Sequence, residues 1–142
     1  MFGRESYTRK EFDEAKAAIE QAIATYKRIA KAARAAPATT GDTALRTFEA
    51  KYFNDLTVVL DRYFSHRLRR VTGRDGTPIN EVEMLRDSLV NNGGVLRASS
   101  VINFIPERSV LKLRFGDPIR STEEQFERLA AAFFAELKLK FV

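Results

Sequence analysis

Apolar residues recur at steps of three and four from Phe12 onward. Ala15, Ile19, Ile23, Tyr26, Ile29 and Ala33 follow it along one face, which predicts a helix over residues 9–36. Thr8 stands at the N-cap with Glu11 three residues on, the spacing of a capping box. Glu11, Asp13 and Glu14 load the first turns, and Lys27, Arg28, Lys31 and Arg34 the last, so both ends complement the helix dipole. Pro37 ends the pattern, and residues 37–41 read as a connector.

A second helix is predicted over residues 43–71, with Asp42 as N-cap. Phe48, Tyr52, Phe53, Leu56, Val59, Leu60, Tyr63, Phe64, Leu68 and Val71 make its apolar band too wide for one neighbour, the mark of a central helix. Thr72-Gly73 and then Arg74-Asp75-Gly76 close it. A third, shorter helix is predicted over residues 78–92. Pro78 suits its first turn, Val82, Leu85 and Leu89 mark its buried face, and Asn91-Asn92-Gly93-Gly94 stops it.

Beyond Val95 the period changes. Residues 95–98 and 101–105 read as extended, and residues 110–115 alternate, with Leu111, Leu113 and Phe115 on one face. Residues 106–109 then read as a hairpin loop, and Gly116-Asp117-Pro118 as a turn. The last helix is predicted to start at Ser121, with Glu124 completing a second capping box. Phe126, Leu129, Ala130, Phe133, Leu137 and Phe141 form its stripe, and Phe134 widens it. The expected fold is α+β and mainly α: about four helices, two of them long and antiparallel, with a small β-hairpin between the third and fourth. One domain spans residues 1–142.

Composition narrows the chemistry. The absence of cysteine excludes thiol catalysis, disulfides and cysteine-held clusters. A single histidine, His66, excludes a multi-histidine metal site within one chain. No Glu-x-x-His motif is present, so neither a metal nor another cofactor is expected. No apolar run approaches the ~20 residues of a membrane span, and residues 1–10 lack a secretory signal. These exclusions point to a cytoplasmic protein with no membrane contact.

The formal net charge is +5. The densest basic stretch holds Arg62, Arg67, Arg69, Arg70 and Arg74, and the expected hairpin adds Arg97, Arg108, Lys112 and Arg114. Clustered arginines suit a polyanion because they neutralise phosphates and release counterions. The element order also follows that of a winged helix-turn-helix, with residues 95–115 as the wing. Against this, the helix that would enter the major groove carries Glu81, Glu83 and Asp87 and only one cation, Arg86.

Two further features lie on the second helix. Arg62 and His66 are one turn apart beside Asp61, a possible ligand or anion site. Asn54, Thr57, Asp61 and Ser65 form a polar line at steps of three and four, which is either the lining of a small cavity or a solvent face.

Asp61-Arg62-Tyr63-Phe64, Gly76-Thr77-Pro78-Ile79-Asn80-Glu81-Val82, Ser109-Val110-Leu111-Lys112-Leu113, Gly116-Asp117-Pro118-Ile119-Arg120 and Leu129-Ala130-Ala131-Ala132-Phe133-Phe134-Ala135-Glu136 resemble a family of small uncharacterised actinobacterial proteins. The resemblance covers most of the chain after the first helix. It implies a stand-alone cytoplasmic domain and carries no activity, cofactor or functional residue.

The function expected from these features is a non-enzymatic interaction module, with no catalytic residue assigned and a homodimer as its form. The wide apolar band of the second helix and Phe133, Phe134, Leu137 and Phe141 of the last would meet across a two-fold axis. The alternative is a basic nucleic-acid-binding protein that uses Arg67, Arg69, Arg70, Arg74, Arg97, Lys112 and Arg114. An enzyme or small-ligand protein built around Asp61, Arg62 and His66 is the third reading, its ligand unidentified.

Overall fold

The first helix largely keeps the stripe its spacing predicts: Phe12, Ala15, Ile19, Tyr26 and Ala30 are buried along α1 (Arg9–Ala35). The computed structural model describes residues 3–35 and 41–142, with side chains from residue 43 in the second stretch. Ala36 of the first helix, the connector at 37–40 and the expected cap by the Asp42 side chain lie outside the described residues. The Thr8–Glu11 box closes α1 in both directions: Glu11 N donates to Thr8 Oγ1 at 3.1 Å, and Thr8 N to Glu11 Oε2 at 2.9 Å.

α2 (Gly41–Tyr63) runs antiparallel to α1. Tyr26 of α1 meets Phe48, Tyr52 and Phe53, while Tyr7, just before α1, packs edge-on against Phe64 at 5.1 Å. α2 also packs against α4 (Pro78–Asn91) and α5 (Glu123–Phe141), so it is the central helix its apolar band predicts. Phe126, Leu129, Ala130, Phe133, Phe134, Leu137 and Phe141 of α5 are all buried in the same core as Phe53, Leu60, Phe64, Val82 and Leu85. Phe133, Phe134, Leu137 and Phe141, expected to face a second copy, are therefore covered within one chain, whereas Phe48, Val59 and Tyr63 of α2 stay exposed.

The second helix is shorter than its periodicity suggests. It ends at Tyr63, and a separate turn, α3 (Arg69–Thr72), follows. Nothing in Ser65-His66-Arg67 is a usual helix breaker. The break comes from groups distant in sequence or beyond the helix. Tyr7 Oη donates to the carbonyls of Phe64 and Ser65 at 2.8 and 2.9 Å, and Arg67 Nη1 donates to that of Phe64 at 3.0 Å. These bonds occupy the carbonyls just past the end of α2, which a continued helix would have used. His66 then turns the chain with φ +66°, and residue 4 pairs alongside: Arg4 N donates to His66 O at 2.6 Å, and Leu68 N to Arg4 O at 3.0 Å.

The expected β-hairpin is absent. Among the described residues there is no strand, only isolated bridges such as Val95 to Pro118 and a 3₁₀ turn over Pro106–Arg108. The fold is all helical with a long irregular segment, not α+β. The reason lies in the amides. Val110 N and Leu111 N donate to the Glu81 carboxylate at 2.8 and 3.0 Å. Lys112 N goes to Ser109 Oγ, Arg114 N to Asp117 Oδ2, and Val101 N to Ser99 Oγ. Side chains have taken the donors that a ladder would need. Lys112 also sits at φ +55°, which breaks the extended run in its middle.

α4 and α5 start on capping residues. Thr77 N donates to Asn80 Oδ1 before α4, and Glu136 of α5 accepts from Ile79 N at 2.9 Å. α5 is capped by Thr122 with Gln125, one residue later than the Ser121–Glu124 pair the spacing suggests. Among the described residues no helix is long and apolar enough to cross a membrane.

Candidate functional site: a cationic cleft between α2 and α4

The polar line on α2 divides: Asn54 and Asp61 bond to neighbouring segments, Thr57 bonds within its own helix, and Ser65 is exposed. Asn54 Nδ2 donates to Ile119 O at 2.8 Å, and Thr57 is buried with its hydroxyl on Phe53 O. Asp61 is buried as well, at 8% exposure. Its Oδ1 accepts from Arg67 Nη2 at 2.7 Å and its Oδ2 from Arg86 Nε of α4 at 3.2 Å. A buried carboxylate needs such partners, because desolvation without them would be costly.

Asp61, Arg62, Ser65, His66, Arg67, Arg69, Glu83 and Arg86 enclose a surface cleft of about 390 Å3. The three residues singled out on the second helix thus do meet in one place. Their roles divide. Asp61 is committed to Arg67 and Arg86. Arg62 is exposed and has no ion-pair partner among the described residues. His66 is exposed too, on a left-handed backbone that any residue except glycine enters at some cost. Four arginines face two carboxylates here, which leaves the cleft cationic before His66 is counted.

The cations proposed for a nucleic-acid surface are scattered and mostly paired. Arg67 is 7% exposed and held by Asp61. Arg69 pairs with Glu83, Arg70 with Glu5, Arg97 with Asp87, and Arg114 with Glu107. Lys112 Nζ donates to Glu107 O at 2.9 Å. Arg74 is exposed and carries no such pair among the described residues. With no hairpin, the wing of that reading has no counterpart in the fold.

Arg86 and Glu83 are the members of the cleft that sequence reading passed over as functional residues. Arg86 entered only as the lone cation of an acidic helix. Its pairing with Asp61, 25 residues away in sequence, joins two helices, and no local spacing reports such a contact.

Outside the cleft, Glu81 of α4 is a buried carboxylate. Burial pushes its carboxyl above the ordinary value, against the opposing pull of the Leu111 and Val110 amides and of Lys112. Asp87 is held below its ordinary value, first by its hydrogen bond with Asn91 and then by Arg97. Among the described residues no group of histidine and carboxylate side chains is placed to hold a metal ion.

No family model, curated protein or solved structure compared with the chain matches it, so these comparisons neither support nor oppose the actinobacterial resemblance.

Proposed function

We propose that the protein is a non-catalytic interaction module that receives an anionic group, a carboxylate or a phosphate, in the cleft between the C-terminal end of α2 and the middle of α4. One observation carries this reading. Asp61 and Glu83 already serve Arg67, Arg86 and Arg69, and Arg62 and His66 line the same cleft with no counter-charge. The paired arginines are fixed in place by those bonds, so little side-chain entropy remains to be lost when an anion arrives. A charge-assisted hydrogen bond to Arg62 is worth about 1.5–3 kcal/mol, enough for weak capture of an isolated anion and for a useful share of a larger contact.

The polyanion reading is less well supported, because most of its arginines already have carboxylate partners. The test is thermal unfolding in inorganic phosphate against sodium chloride at matched ionic strength. Phosphate should raise the midpoint of the native chain, and Arg62→Ala should abolish most of that rise. Equal midpoints in the two salts for the native chain would contradict the reading.

A further inference from the structure

The cationic cleft does not stand alone on the α2–α4 seam. α2 and α4 run side by side in opposite directions, and a second groove of about 520 Å3 lies next to it, lined by Val58 and Val59 of α2, Leu89 and Val90 of α4, and Gly93 and Gly94. Each helix joins the two sites through neighbours one turn apart. On α2, Val58 and Val59 lead to Arg62, and on α4, Arg86 leads to Leu89 and Val90. Val59 and Val90 are exposed, Val90 at 58%. Tyr63, beside Arg62, is 46% exposed. Exposed apolar side chains occur elsewhere too, Phe115 and Leu139 among them, but on this seam the Val59 and Val90 surface adjoins a cleft with more arginines than carboxylates.

We propose, resting on the anion reading above, that this seam docks an amphipathic helix of a partner protein. Its aliphatic side chains lie in the Val58–Val90 groove and an acidic side chain enters the cleft at Arg62. The charge order argues for that occupant. The groove end is apolar, with its only charged lining the Lys51–Asp55 pair, and the cleft end is cationic. An open furrow between two helices is the usual seat of a helix that presents anchors at steps of three, four and seven. About eight residues of α2 separate the centres of the two sites, which is ~12 Å at the rise of a helix. The acidic residue therefore follows the aliphatic pair by about two turns of the docked helix.

The probe is a fluorescein-labelled helical peptide with two leucines about four residues apart and a pair of glutamates about two turns later. One control replaces the glutamates by glutamine, and the other replaces the leucines by serine. Fluorescence polarisation should show binding of the parent and at least ~tenfold weaker binding of each control. Arg62→Ala should erase the difference made by the glutamates, and Val90→Asp the difference made by the leucines. Both positions are exposed, so both variants should keep the native melting profile.

If phosphate binds the cleft but the serine control binds as well as the parent, the helix proposal fails and the anion reading stands. If neither phosphate nor peptide binds, both fail. Binding of laurate in place of the peptide would assign the groove to an acyl chain. Self-association abolished by Val90→Asp, without peptide binding, would assign it to a second copy of this chain. Either result overturns the proposal.

Discussion

Arg67 donates through Nη2 to Asp61 Oδ1 at 2.7 Å, across the end of the helix that carries Asp61. The same guanidinium donates to the carbonyls of Phe64 and Asp61 and lies 5.8 Å from the centre of the Phe133 ring. One side chain thus caps α2, neutralises a buried acid and covers a core aromatic. That arrangement makes Arg67 and Asp61 parts of the scaffold beneath the cleft, and leaves Arg62 and His66 as its receptive surface.

Arg67→Met should be costly. It strips one partner from a buried carboxylate, and losses of this kind are about 3–5 kcal/mol. Arg86 still holds the other oxygen of Asp61, so the lower end of that range is expected. The double variant Arg67→Met with Asp61→Leu should be less destabilised than the sum of the singles, because no charge is then left stranded. Urea denaturation of the four proteins measures the coupling.

Tyr7→Phe removes the one phenolic proton shared between the Phe64 and Ser65 carbonyls just past α2, and leaves the ring contacts with Phe64 and Phe141 intact. The expected loss is about 1 kcal/mol, near the net worth of one hydrogen bond. Faster amide exchange at Arg4 and Leu68 should accompany it, since their two backbone bonds sit beside the turn that Tyr7 holds.

Gly76 has φ +75°, and a Cβ there would lie 2.4 Å from the Asn103 carbonyl oxygen. Neither the backbone conformation nor the contact tolerates a side chain. Gly76→Ala should cost more than about 2 kcal/mol in thermal or chemical denaturation. Gly93→Ala, also at positive φ but with open space around it, should cost distinctly less.

Glu81 gives a pH dependence whose sign is fixed by its burial. Its carboxyl titrates higher in the folded chain than in the unfolded one. The folded state therefore binds more protons between the ordinary carboxylate value and the raised one, and this group's contribution to stability falls as pH rises through that window. Glu81→Gln lacks this term and also sets an amide donor against the Val110 or Leu111 N–H, at a cost of about 1–3 kcal/mol. The stability gap between native and variant proteins should widen as pH is lowered through the window. A gap that narrows would mean that the two amide bonds outweigh the burial.

The parts of this structure that were legible in the sequence are those set by local rules. The Thr8–Glu11 box, the stripe of α5 and the Pro78 start of α4 all depend on residues within a turn or two of one another. The break after Tyr63 depends on Tyr7, 57 residues away from the carbonyl it caps, and on a histidine in a conformation that its neighbours do not announce. The hairpin pattern at residues 95–115 failed for a related reason. Alternation of Leu111, Leu113 and Phe115 describes side chains, whereas a ladder needs free amides, and Glu81, Ser109 and Asp117 had claimed them. The cleft stood in between. Helical spacing placed Asp61 and Arg62, but His66 reaches the cleft from the left-handed turn after α2, and the α4 residues that complete it, Glu83 and Arg86, come from tertiary packing.

The most direct test of the central claim is an amide shift map of the ¹⁵N-labelled protein titrated with inorganic phosphate at constant ionic strength. Saturable shifts confined to residues 62–69 and 83–86, and lost in Arg62→Ala, are the predicted result. Shifts that are absent, or spread evenly over the arginines of the surface, would contradict an anion site in this cleft.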